Sequence, residues 1–219
     1  MVELPDAYHT LAAPATGEFK DRGSKFLAFA YPVRTEAEAL ARVEALRKEH
    51  FKARHHCFAW RLGLDGQRFR ANDDGEPSGT AGRPILGQID AAGLTDVVVV
   101  VVRYFGGTLL GTSGLIQAYR ESAAEALRQA QVVEKIVLAH FDVTVDYALL
   151  PDLVNALKKL DIDIAEQVYN DTGARLNIGI RKGEAADRLL NLKAALWKVS
   201  TSEAQTLDWP PTITLISLS

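Results

Sequence analysis

Six consecutive valines, Val97–Val102, constrain this chain more than any other stretch. Two branches on each Cβ hold χ1 and favour pleated backbone. A run with no polar alternation has to be covered on both faces, so it predicts a central strand. It is far too short for a bilayer, which needs about 20 apolar residues.

The flanking pattern is that of an α+β chain. Phe19–Val33 reads as a strand that begins with Lys20, Arg22 and Lys25 and is closed by Pro32. Thr35 and Glu38 form a capping-box signature for a helix running to about His50. His55–Leu62 suits a strand, with a turn at 63–66. After the valines comes Arg103-Tyr104-Phe105-Gly106-Gly107, then glycine-rich chain to Gly114, then an Ala-rich helix over Leu115–Ala130.

The pattern restarts near Glu134. Strand Ile136–Val145, helix Leu149–Leu160, strand Ile162–Tyr169, turn Asn170–Gly173, strand Ala174–Ile180, helix Glu184–Leu196 and a last strand Val199–Ala204 give a βαββαβ order. That is the split, ferredoxin-like plan. Thr206–Ser219, with Pro210-Pro211, reads as a tail or edge segment. The expected domains are therefore 1–134 and 135–205, followed by a 206–219 tail.

The 219 residues suffice for one large or two small domains. A net charge of −3 provides no global basic field for nucleic acid, so such binding needs a local patch. Cys57 is the only cysteine, which excludes internal disulfides, Cys-based zinc sites and Fe–S clusters. Residues 1–10 contain Glu3, Pro5 and Asp6 and show no apolar leader core, so a cytoplasmic protein is expected.

Two segments carry candidate chemistry. In the loop 72–84, Asp73, Asp74 and Glu76 lie beside Ser78, Thr80 and Arg83. These oxygens could hold a divalent cation, could accept amide and arginine hydrogen bonds that set a rigid turn, or could meet a partner. In the second segment, Gly106, Gly107, Thr108, Thr112 and Ser113 lead into a helix. Free N–H groups and the helix dipole favour an anion there; tight turning and close packing are the alternative. The segment has no Gly-Lys-Ser/Thr and no dinucleotide spacing.

Arg83 and Arg103 suit either a shared anion or ion pairs with the loop acids. Tyr104 and Phe105 suit base stacking or core packing. Alternation puts His55 and Cys57 on one strand face and His56 on the other. Cys57 reads as a small core residue rather than a nucleophile.

The stretch Asp73–Leu86, the valine strand with Arg103–Gly107, Leu110-Gly111, Gly114-Leu115, Arg54-His55 and Cys57-Phe58-Ala59 closely resemble the YigZ/IMPACT family, over roughly residues 17–130. The resemblance implies a ribosomal protein S5 domain 2-like N-terminal domain, with two helices on one face of its sheet. It also implies a smaller ferredoxin-like C-terminal domain, similar in fold to the fifth domain of elongation factor G. Eukaryotic relatives look like translational regulators that act on a kinase activator through a further domain this chain does not contain. Bacterial members have been proposed to bind nucleic acid.

This chain has Leu109 and Gln117 where the family commonly has lysine and arginine, and His56 where asparagine is common. A protonated His56 would restore positive charge. The resemblance implies a non-enzymatic, translation-associated binding or regulatory protein contacting RNA or a ribosomal component. Its ligand-binding residues would be drawn from Arg54, His55, Arg83, Arg103, Tyr104 and the glycine-rich segment, with no catalytic residue, metal or cofactor implied. A phosphate-binding enzyme using the acid cluster, and an interaction module with purely structural loops, are the alternatives.

Overall fold

A computed structural model describes residues 6–64 and 66–218, and the chain parts into two units between Lys135 and Ile136. Residues 1–5, half of the 1–10 stretch read for a leader, lie outside the described residues, as do Asp65 of the 63–66 turn and Ser219.

The first unit runs β1 (Ala7–Leu11), β2 (Ala15–Asp21), β3 (Ser24–Pro32), α1 (Glu36–Glu49), β4 (His55–Leu62), β5 (Arg68–Asn72), α2 (Gly82–Ala91), β6 (Val97–Tyr104), α3 (Gly111–Arg128) and β7 (Val132–Ile136). Its five-stranded sheet has the order β2-β3-β6-β4-β5, and every neighbouring pair is antiparallel. The valine strand is central, as its composition requires. Val97, Val99 and Val101 enter the core shared with α2 and α3, whereas Val98, Val100 and Val102 enter the core under α1. β1 and β7 form a separate two-stranded sheet.

The structure corrects four expectations in this unit. The single strand Phe19–Val33 is the hairpin β2–β3, turned at Arg22 and Gly23. Both have positive φ, 44° and 79°, the hand that matches strand twist in a two-residue turn. β5 and α2 were not expected at all. α2 begins inside the loop 72–84, its Pro84 sits in the first turn where no amide is needed, and Gly93 follows its end with φ 64°. The two helices sharing a face are α2 and α3; α1, read as one of that pair, covers the other face. α3 starts at Gly111 rather than Leu115.

Thr35 does cap α1, accepting from the Glu38 amide at 3.1 Å. Glu38 reaches one residue further back than a capping box requires, to the Arg34 amide at 2.8 Å.

The second unit runs β8 (Leu138–Asp146), α4 (Leu150–Lys159), β9 (Asp163–Tyr169), β10 (Gly173–Arg181), α5 (Ala185–Trp197), α6 (Thr201–Ala204) and β11 (Thr214–Leu218). Its sheet order is β11-β8-β10-β9, again with antiparallel neighbours. The last strand read at Val199–Ala204 is instead the short helix α6. A reciprocal cap between Ser200 and Glu203 fixes it: each side chain accepts from the other's amide, at 3.3 and 3.0 Å. The closing strand comes from 214–218, in the segment read as a tail or edge, and pairs along β8. Among the described residues no helix is long and apolar enough to cross a membrane.

Candidate functional site

The three acids of the 72–84 loop each meet protein donors. Asp73 accepts from the Gly79, Ala81 and Gly82 amides at 2.8, 3.0 and 2.8 Å, tying down the start of α2, which has no side-chain cap at the residue before it. Asp74, at φ 43°, accepts from Arg47 of α1 at 2.8 Å and from the His56 amide at 2.6 Å. Glu76 is buried and accepts from Arg103 at 2.6 Å and the Tyr119 hydroxyl at 2.8 Å. Thr80, also buried, donates to the Pro77 carbonyl at 2.7 Å, while Ser78 is exposed. Among the described residues no three His, Cys, Asp or Glu side chains converge on a metal position.

Burial works against the Asp73 carboxylate, but the three amides outweigh it and hold the group below the usual carboxylate range. A depressed folded value stabilises the fold above the unfolded value of about 3.9 and is lost as pH falls through the folded one. Acid titration of stability should therefore show a component below about pH 4 that Asp73→Asn removes. An unchanged acid limb in that variant would show that the amide contacts are weak.

Arg103 organises the remainder of the site. It follows the valine run on β6, pairs across the sheet with Phe26 and His55, and has a residue exposure of 5%. One guanidinium nitrogen reaches Glu76, and the group lies 5.4 Å from the centre of the Phe26 ring and 5.5 Å from that of Phe105. Its Nε is buried without a hydrogen-bond partner. The side chain lines a cavity of about 460 Å³. Arg54 and His55 form one wall, Glu76 and Pro77 of the acid loop another, and Phe105, Leu109, Leu110, Gly111, Thr112 and Leu115 the rest. The acid loop and the glycine-rich segment thus border one space.

His55 Nδ1 lies 2.8 Å from the Asp74 carbonyl, which can only accept, so that nitrogen carries the proton. Nε2 is left facing Glu76 at 3.8 Å. Cys57, on the same strand face, is fully buried; desolvation pushes its thiol well up, so it cannot serve as a thiolate nucleophile. Its Sγ lies 3.0 Å from the Asp73 carbonyl and 3.3 Å from the Tyr119 hydroxyl.

Other residues singled out in the sequence fall elsewhere. Arg83 lies on the exposed side of α2, in a depression with Arg120, and so does not share the Arg103 cavity. Strand alternation turns Tyr104 to the α1 face, where its hydroxyl meets His50 Nδ1 at 2.9 Å; it is packing rather than a stacking surface for this cavity. His56 also faces away and is held below the usual histidine range by burial, which Asp74 only partly opposes, so it restores no charge beside Arg103.

Thr112 lines the cavity, whereas Thr108 and Ser113 are exposed outside its lining. Gly106 serves close packing: a Cβ there would meet the Gly23 backbone. Gly107, at φ 88°, serves the turn. Tyr119 was missed. The available signal was a phenol on the buried face of an Ala-rich helix, a group that needs a partner.

The Impact N-terminal domain family matches residues 22–127. The YigZ member of the IMPACT family from Escherichia coli K12 is 39% identical over 160 residues, covering 72% of this chain and 78% of its own length. An IMPACT family member from Thermus thermophilus is 41% identical over 160 residues, covering 73% and 86%. A crystal structure of a hypothetical protein aligns over 99% of each chain, with a TM-score of 0.68 and 32% identity.

Proposed function

Because the chain belongs to the IMPACT family, we propose that it is a non-enzymatic, cytoplasmic, translation-associated binding or regulatory protein. In this reading an anionic group of RNA or of a ribosomal component enters the Arg103 cavity. The single observation that carries it is Arg103, buried at 5% exposure with an unpartnered Nε beside Arg54 and the start of α3. The family's eukaryotic relatives, which look like translational regulators, support the translation context. Binding is favoured over catalysis because the loop acids are engaged by amides, arginines and Tyr119.

The same reading assigns the first unit to the S5 domain 2-like fold and the second to the ferredoxin-like fold. Support comes from α2 and α3 sharing one sheet face, and from the β11-β8-β10-β9 order.

Co-sedimentation with ribosomes and with RNA at near-physiological salt tests it. Arg54 is exposed, so Arg54→Ala should fold. It should weaken association and lower the salt slope by about 1, as expected for one lost phosphate contact, while Arg83→Ala leaves both unchanged. No association, or association indifferent to Arg54→Ala, defeats the proposal.

A further inference from the structure

The Arg103 cavity is chemically two-sided, and a phosphate backbone uses only one side. Its cationic side holds Arg54, Arg103 and the first residues of the 18-residue helix α3, which has no side-chain cap. Unsatisfied amides and the helix dipole favour negative charge there. Its apolar side is Pro77, Phe105, Leu110 and Leu115, with Leu109 at 82% exposure on the rim. The volume, about 460 Å³, lies in the range of small-molecule sites.

Charge narrows the class. Glu76 offsets one of the two arginines, leaving a single positive charge before the helix dipole is counted. That matches a monoanion; a phosphate monoester carries nearly two charges at neutral pH and would crowd the Glu76 carboxylate. Arg103, at 5% exposure, lines this cavity with its buried Nε unpartnered, a second observation beside the helix terminus.

We infer that this cavity binds a small organic carboxylate. The head is held by Arg54, Arg103 and the α3 amides, and a flat or branched apolar body lies against Phe105, Leu110 and Leu115. Such a ligand would compete with the macromolecular partner for the same cavity. Only that competition rests on the proposed function; the ligand site stands without it.

The test uses the full chain and three probes: 3-phenylpropionate, acetate (head alone) and 3-phenylpropan-1-ol (body alone). Binding is followed by NMR at the Arg103 Nε–H and at the Gly111 and Thr112 amides. Phenylpropionate should bind at least about tenfold more tightly than either fragment and shift those signals. Leu109→Asp, a change on the exposed rim, should weaken phenylpropionate by a several-fold larger factor than the alcohol, because only the carboxylate is repelled.

Equal binding of acetate, equal binding of the alcohol, or no shift at Arg103 overturns the inference. Phenylpropionate binding without ribosome or RNA association leaves this inference standing and defeats the proposed function. Ribosome association without phenylpropionate binding does the reverse.

Discussion

Glu76→Ala should destabilise the first unit by about 3–5 kcal/mol, the usual cost of removing one partner from a buried ion pair. The side chains of Glu76 and Arg103 are 4% and 6% exposed and their closest atoms are 2.6 Å apart. Alanine leaves the guanidinium charge between Phe26 and Phe105 with no counter-ion. It also removes the carboxylate acceptor of Tyr119, whose ring is fully buried. Typical domain stability is only about 5–15 kcal/mol, so the loss is a large fraction of the total.

Glu76→Gln keeps an acceptor for Tyr119 and should cost less. The pair Glu76→Leu with Arg103→Met should recover much of the loss, because the cost lies in the orphaned charge rather than in the absent attraction. Urea unfolding with amide exchange read along β6 measures all three. A loss under about 1 kcal/mol for Glu76→Ala, the range of solvent-screened pairs, would mean that water reaches this arginine.

Gly106→Ala should be nearly as damaging, for a steric reason. A Cβ at Gly106 would lie 1.9 Å from the Gly23 carbonyl carbon, 2.1 Å from its oxygen and 2.3 Å from the Ser24 nitrogen. All three are backbone atoms of the β2–β3 turn, so no side chain can rotate away. The Gly106 amide also donates to Ser24 Oγ at 3.2 Å, which ties the loop onto that turn. The expected cost is at or above the upper end of the ~1–3 kcal/mol typical of overpacking.

Gly107→Ala is the matched control. It meets open space and carries only the penalty of φ 88°, about 1–2 kcal/mol. Thermal unfolding of both variants checks the difference. Equal melting temperatures would show that the turn yields freely.

Much of the fold was legible in the sequence, and the parts that were not share a cause. The valine run specified a central strand because only full coverage suits it. Thr35 with Glu38 marked a helix start, and alternation in β4 separated His55 and Cys57 from His56. α2 escaped because Pro84 and Gly87 interrupt a helix of ten residues, leaving too little periodic signal. The β2–β3 turn escaped because Arg22 takes the positive φ usually given to Asn, Asp or Gly. At the end of the chain, α6 replaced a strand because a local Ser200–Glu203 cap outweighed the strand-like residues beside it.

The site divides along the same line. The sequence by itself determined which residues were chemically unusual: the loop acids, Arg103 and the glycines before α3. It also determined that the valine strand delivers Arg103 to the end of a fully covered core. Only the tertiary structure decided which donor each acid meets. Arg103 and Tyr119 reach Glu76 from 27 and 43 residues away, across a strand and a helix whose relative placement no local pattern encodes. Side-chain periodicity is a property of neighbours along the chain, whereas charge pairing in a core is a property of packing. Packing set Arg83 apart from Arg103 and left the Arg103 Nε buried without a partner, on a side chain that lines a cavity.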